Sequence, residues 1–393
     1  MMLFPLTADD RAFQDEVRTF LAKHLPEEWR GISEMSSRPD RAIIAGWIKR
    51  LAAQGWITSG WPRQYAGRPL SVTQRHLLDV ELANARAPLL PNMELKMVAP
   101  LIIRFGSLAQ QDYYLPRILS GEDIWAQGFS EPEAGSDLAS LRTTAMRVDG
   151  GYEINGRKIW TTNAHIATQF FCLARTDANA AKPQRGISMF LLPMGAPGIT
   201  VRPIRTIDGR HHFNEVFIDE VRVPETAMLG EENQGWSYAK ALLENERLGI
   251  ADVQPTRVLL HQVAAVIAHA REPDRQAFFN RLAALDIDLE SLEFLEFRAV
   301  ENTQVGTELG YEASLLKLLG ARVRQDLLIL GREALGPLAE ARSSPSSPRH
   351  GSGQGDHFVT DSLFYRAMSI YGGSSEIQRE LIARTVLNLG QEF

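Results

Sequence analysis

The sequence predicts an α+β chain built of three successive parts, helical, then β, then helical, and three observations carry that prediction. Apolar residues recur at helical spacing from residue 7 to about 120. Between about 124 and 233, short β-branched and aromatic runs alternate with Gly, Pro and Asn turn signals. Beyond Gly235 the three-and-four spacing returns in long segments.

The first helix opens on Thr7-Ala-Asp-Asp10, a capping box, and carries Phe13, Val17, Phe20, Leu21 and Leu25 on one face. Ile43 to Ala53 repeats the pattern and stops at Gly55, Pro62, Gly67 and Pro69 mark a loop, and Val72–Ala87 and Pro100–Phe105 are helical again. In "VDGGYEINGRKIWTT", turn residues at Asp149-Gly150-Gly151 and at Asn155-Gly156 flank short β runs, a hairpin signal. "QFFCLART", "GISMFLLPM", "GITVRPI" and "NEVFIDEVRVP" follow as strands. The segments 236–271, 275–303, 310–334 and 360–388 are expected to be long helices packed as an antiparallel bundle. The Ser/Pro/Gly-rich stretch 342–356 is expected to be a mobile loop.

Composition excludes several classes. The 393 residues are 44% apolar and 23% charged with a net charge of −6, and no Lys/Arg block stands out, so nucleic-acid binding is not expected. No segment approaches the roughly 20 apolar residues of a membrane helix and "MMLFPLTADD" lacks a signal-peptide pattern, which makes the cytoplasm the expected location. Nine scattered histidines form no set at metal-ligand spacing. The single cysteine, Cys172, sits in an apolar run and reads as a core residue.

Four stretches could carry chemistry. In "QGFSEPEAGSD", Ser130, Gly135 and Ser136 around Pro132 form either a polar loop whose N–H groups and hydroxyls receive ligand oxygens or a turn closing a domain boundary. In "KIWTTN", Trp160 is either a core or edge aromatic or a platform for a flat ring, with the hydroxyls of Thr161 and Thr162 reaching that ring's edge. In "YAKALLENERLGIADV", Ala239, Leu242, Leu243, Ile250 and Val253 form an apolar stripe on which Glu246 falls. Its carboxylate is either a partly buried base of raised pKa or a solvated glutamate at the stripe's rim, and Glu244 is one position off the stripe. The fourth, "IYGGSSEIQRE", joins a Gly-Gly-Ser-Ser turn to a carboxylate, an amide and a guanidinium, with Gly372 where a catalytic acid would be convenient.

With "GFSEPEAGSD", "NGRKIWTTN" and "YGGSSEIQRELIAR" in this order on an α–β–α plan, the chain resembles the acyl-CoA dehydrogenase family of flavoproteins over nearly its full length. The resemblance implies an N-terminal helical domain (1–122), a middle β-barrel-like domain (123–233) and a C-terminal four-helix bundle (234–393). It implies FAD as cofactor, an acyl-CoA thioester as substrate and an electron-transfer flavoprotein as acceptor. Carried over by residue, Gln127, Phe129 and Ser130 become flavin contacts, and Trp160 and Thr162 lie against the isoalloxazine. Ser136 binds the CoA portion, Ser374 and Glu376 belong to the C-terminal flavin-contacting segment, and Glu244 with Arg247 touch CoA or order the active site.

Two departures from the family pattern matter. Many members have Tyr-Glu-Gly-Thr where this chain has Tyr371-Gly372-Gly373-Ser374, the glutamate being the base. A branch that includes the isovaleryl-CoA type has glycine there and takes its base from the helix matching "ENERLG", which makes Glu246 the expected base. Homotetrameric members also carry Arg-x-x-Phe-Gly and Gln-x-x-Gly-Gly-x-Gly segments that hold the ADP half of FAD, and neither occurs here. Similar replacements occur in members resembling the pimeloyl-CoA dehydrogenase large subunit and in steroid-catabolic members that pair two different chains. A homo- or hetero-oligomer is therefore implied, with an α2β2 assembly suspected. Two other outcomes of the fold remain open at this point: a desulfinase or oxidase, and a non-catalytic subunit of a heteromer.

Overall fold

The computed structural model describes residues 6–31, 41–271, 273–304, 310–336 and 353–389, with the side chains of 243–250, 303–304 and 353–357 outside that description. In chain order the helices are α1 (Ala8–His24), α2 (Arg41–Ala53), α3 (Val72–Asn84), α4 (Ala99–Phe105) and α5 (Leu108–Ser120). The strands are β1 (Trp125–Gly128), β2 (Thr144–Val148), β3 (Gly151–Thr162), β4 (Gln169–Arg175), β5 (Ile187–Pro193), β6 (Ile199–Ile204), β7 (Phe213–Pro224) and β8 (Met228–Leu229). Then come α6 (Gly235–Ile250), α7 (Val253–Ala268), α8 (Asp274–Gln304), α9 (Glu312–Leu335), α10 (Gly353–Phe364) and α11 (Ser375–Thr385). Among the described residues no helix is long and apolar enough to cross a membrane, and no cluster of three metal-ligating side chains occurs.

The chain forms two compact units, one of residues 41–68 and 90–246, the other of 1–40, 69–89 and 247–393. The helical first third is thus shared, with α2, α4 and α5 in the first unit and α1 and α3 in the second.

In the first unit the sheet runs β6-β7-β3-β2-β4-β5-β8, with β1 parallel to β4. Along β4, Phe170, Cys172 and Ala174 join Tyr152, Ile154, Phe190, Val216 and Val221 in one buried cluster. The alternate residues Phe171 and Leu173 pack with Val98, Ile102, Leu115 and Ile118 of the helices. Both faces of β4 and β5 are therefore apolar, which accounts for their uninterrupted hydrophobic runs. Cys172 is fully buried, and burial pushes its thiol up to about 11, as expected of a core cysteine. The helix starts are equally local in origin: Thr7 with Asp10 and Ser107 with Gln110 form capping boxes.

The hairpin expected at Asp149-Gly150 forms, with Val148 opposite Gly151 and Gly150 at φ +78°. Asn155-Gly156 is not a turn. It lies within β3, opposite a bulge of β7 where Glu220 has φ +50°, and Asn155 Oδ1 accepts the Glu220 N–H at 2.8 Å. The asparagine thus serves a strand irregularity, and its turn-like composition misleads.

In the second unit α7, α8 and α9 pack around Leu260, Val263, Leu289, Leu292, Leu316, Val323 and Leu327, with α10 and α11 against α9. The segment 236–271 is two helices, not one. Asp252 adopts φ +49° and ends the run, so Val253 starts α7 and does not extend the α6 stripe. The cause is tertiary: Arg324 donates to Asp252 at 3.0 Å and to Thr256 at 3.4 Å. Ala251 also packs so close to α9 that a Cβ on Gly320 would lie 2.8 Å from its Cα. Likewise 360–388 is interrupted between α10 and α11 by a short 3-10 turn, Tyr365–Ser369, and by the Gly372-Gly373 turn. Of the stretch 342–356, residues 342–352 lie outside the described residues, while 353–356 are already helix α10 and not loop.

Candidate active site

Backbone irregularity at one end of β3 builds the candidate site of the first unit. Lys158 pairs with Val216 and Thr161 with Asn214, so Ile159 and Trp160 together face Glu215 alone. This bulge puts Trp160 at φ +60°, a left-handed conformation that costs a bulky L-residue about 1–3 kcal/mol. The return is orientation. The indole leaves the sheet 55% exposed, edge-on to Phe213 at 6.2 Å, so the core-aromatic alternative is excluded. Asn163, at φ +61°, completes the kink, its N–H donating to His212 O at 2.8 Å.

The neighbouring loop is fixed by charge. The fully buried ammonium of Lys158 donates to Glu131 Oε1 at 2.7 Å and to Phe129 O at 3.3 Å. Glu131 also accepts the N–H groups of Arg142 at 2.6 Å and Thr143 at 2.9 Å. Burial, the largest single influence, would push its carboxyl up, but the charge and hydrogen bond of Lys158 together with the N–H groups of Thr143 and Arg142 hold it below the usual range. Ser130 O accepts the Ile159 N–H at 2.9 Å, tying the loop directly to the bulge.

The sequence-predicted residues fall around this frame. Phe129 is buried edge-on to Phe171 at 5.7 Å. Gln127 and Ser130 are half-buried, Thr161 is buried, Thr162 half-buried and Ser136 exposed. Gln127 Nε2 and Thr161 Oγ1 are buried and lack a hydrogen-bond partner among the described residues. Polar groups left without a partner, one of them on the residue next to the exposed Trp160, are what a flat, hydrogen-bonding ring would satisfy, so these residues fit a flavin.

In the second unit the Gly-Gly-Ser-Ser segment is a tight turn. Gly372 and Gly373 have φ +66° and +87°. Gln378, fully buried, donates to Gly372 O at 3.0 Å, and fully buried Lys317 donates to Gly373 O at 2.6 Å. Ser374 caps α11 by accepting the Ile377 N–H. Glu376 is exposed, its carboxyl held below the usual range by its own backbone N–H and by Ser374. Glu244, Glu246 and Arg247 are on the C-terminal half of α6, and their side chains lie outside the described residues. Earlier on that helix, Ala239 and Leu242 of the expected stripe are buried.

Sequence reasoning missed Glu131, Lys158, Asn214, Lys317 and Gln378. The available signal was parity: Lys158 shares the inward face of β3 with Tyr152 and Ile154, where a lone charge must find a partner.

Comparison with known proteins matches the whole plan. The profile "Acyl-CoA dehydrogenase, N-terminal domain" matches residues 7–122, "Acyl-CoA dehydrogenase, middle domain" 126–221 and "Acyl-CoA dehydrogenase, C-terminal domain" 233–387. The acyl-CoA dehydrogenase IpdE1 of Mycobacterium tuberculosis H37Rv is 35% identical over 393 residues, covering 98% of this chain and 99% of that protein. Among solved structures, the Tcur3481-Tcur3483 steroid ACAD superposes with TM-score 0.83 at 28% identity, over 99% of each chain. The ChsE4-ChsE5 complex from Mycobacterium tuberculosis gives TM-score 0.81 at 28% identity, again over 99% of each chain.

Proposed function

Because the chain belongs to the acyl-CoA dehydrogenase family, we propose that it binds FAD and oxidises an acyl-CoA thioester to the trans-2-enoyl-CoA. The observation that carries this reading is Trp160, held left-handed and exposed next to a loop pinned by a buried ion pair, in a unit that also leaves Gln127 Nε2 and Thr161 Oγ1 buried without a partner.

When FAD is bound, the indole of Trp160 would form a wall for its ring system, and Gln127 and Thr161 would supply hydrogen bonds to it. Thr162, Ser130 and Phe129 would be further contacts from the same unit. Exposed Ser136 receives the polar CoA portion, with Glu244 and Arg247 as further CoA or ordering contacts. Glu246 takes the α-proton of the thioester. As that C–H bond breaks, its electron pair forms the new double bond and the β-carbon gives up a hydride. FAD, when bound, is the hydride acceptor, and an electron-transfer flavoprotein is the proposed acceptor of the two electrons that follow. A carboxylate suits the base because it can accept a proton from a carbon acid and return it to solvent after turnover.

Glycine at 372 and 373 leaves the turn without side chains, and the Tcur3481-Tcur3483 relative is named a steroid enzyme. We therefore extend the reading to a bulky, ring-bearing acyl group, and to assembly with a second, related chain that holds the ADP half of FAD, as the paired name ChsE4-ChsE5 suggests.

The test is a titration of wild type and Glu246→Gln with linear, branched and ring-bearing acyl-CoAs, followed by the visible flavin spectrum. Wild type should bleach, most strongly with the ring-bearing substrates, while the variant keeps its flavin and does not bleach. Bleaching by the variant would move the base elsewhere. A homotetramer holding one tight FAD per chain, when the protein is made alone, would refute the two-chain assembly.

A further inference from the structure

We propose that Asn214 is a positioning residue that locks the Trp160 bulge, with His165 and His211 as its supports; the inference rests on the reading of Trp160 as a flavin wall. Asn214 is fully buried on β7, directly opposite Thr161. Its Nδ2 donates to Thr161 O at 3.0 Å. A carbonyl can only accept, so this contact fixes which end of the amide faces the bulge.

The imidazoles follow from that orientation. His165 Nδ1, 3.2 Å from Asn214 Nδ2, must be the acceptor, and His211 Nε2, 2.8 Å from Asn214 Oδ1, must be the donor. The two rings stack at 4.1 Å and 26°, on the wall of a cavity of about 400 Å³ that Met194, Val201 and Pro203 also line. One amide thus joins three groups: the carbonyl immediately after Trp160, a histidine just beyond the kink and a histidine entering β7. A bulge interrupts the ladder and leaves its own backbone groups to be satisfied from outside it. Here the side chain of Asn214 satisfies one, Ser130 O takes the Ile159 N–H and His212 O takes the Asn163 N–H. Of these three ties only the first is made by a side chain, so it alone can be removed by substitution.

The experiment compares wild type, Asn214→Leu, Asn214→Asp and Trp160→Phe, using amide hydrogen exchange on the flavin-free protein and then the spectrum and kinetics of the reconstituted enzyme. In Asn214→Leu the amides of Ile159 and Asn163 should exchange about tenfold or more faster, while those of β4 and β5 keep their wild-type rates. The flavin band should shift, and kcat should fall about 10–100-fold with KM little changed, because a wall displaced by an ångström misaligns the reacting atoms. Asn214→Asp keeps size and the acceptor for His211 but turns a second oxygen toward Thr161 O; it should act the same way and serves if the leucine variant does not fold. Wild-type exchange at Ile159 and Asn163 in both variants overturns the lock. Faster exchange in those variants, with a flavin spectrum that Trp160→Phe does not move, supports the lock and discards Trp160 as the flavin wall.

Discussion

Of the stretches that leave regular backbone through left-handed residues, two at the candidate site residues use residues that differ in kind. At the end of β3 the positive φ falls on Trp160 and Asn163, whereas in the C-terminal turn it falls on Gly372 and Gly373. Glycine reaches this region without steric cost, and a tryptophan does not. Between these two places, strain is accepted where the Trp160 side chain is presented and avoided where the chain only turns. The means of support differ accordingly: a buried ion pair beneath the loop beside Trp160, and two side-chain donors on carbonyls at the glycine turn. Gly372 therefore has a conformational reason to be glycine, apart from any question of where the catalytic base sits.

The comparison breaks most readily at the ion pair. Lys158→Met strands the Glu131 carboxylate in the interior and should cost about 3–5 kcal/mol in a urea or thermal unfolding experiment. Acid should erode the same contribution. Because Glu131 is held below its ordinary value, the stabilisation is complete above that value and is lost as pH falls through the lower folded one. Equal acid sensitivity of wild type and Lys158→Met would rule out the pair as its source.

Gly373→Ala asks how much the turn depends on glycine. The added Cβ would sit 2.4 Å from Gln378 Nε2 at a φ of +87°, so a loss of about 1–2 kcal/mol is expected, with faster exchange confined to the start of α11. The smallest effect should come from Trp160→Gly. Releasing the left-handed strain offsets the greater freedom of glycine in the unfolded chain, so the unfolding free energy of the flavin-free protein should stay within about 1 kcal/mol of wild type. Flavin affinity should nonetheless fall clearly. A large loss of stability would mean that the indole holds the fold and is not merely presented by it.

Much of this was legible in the sequence, for reasons that differ by element. The capping boxes, the Asp149-Gly150 hairpin and the apolar runs of β4 and β5 are set by residues within a few positions of one another. The loop at 127–137, the Trp160 segment and the C-terminal glycine turn were legible as motifs, although not as conformations. What could not be read depends on distant partners. The break at Asp252 is made by Arg324, 72 residues away, and the loop is pinned by Lys158 across 27 residues. Asn155-Gly156 has the composition of a turn and the position of a bulge, a distinction that only the register of β7 decides. The orphaned Gln127 and Thr161, and the amide of Asn214, follow from which face of the sheet each residue occupies once the bulge has shifted the alternation.

The sealed thiol of Cys172 has a practical use. As the only cysteine of the chain, fully buried and shifted to about 11, it should stay silent toward maleimides and iodoacetamides in the native protein near neutral pH. Any cysteine introduced at the surface would then be the sole reactive group, with no background to delete first. A fluorophore or spin label placed at exposed Tyr371 would report on the glycine turn, and one at exposed Ser136 on the polar loop, so ligand-driven motion in each unit can be recorded separately from the native sequence.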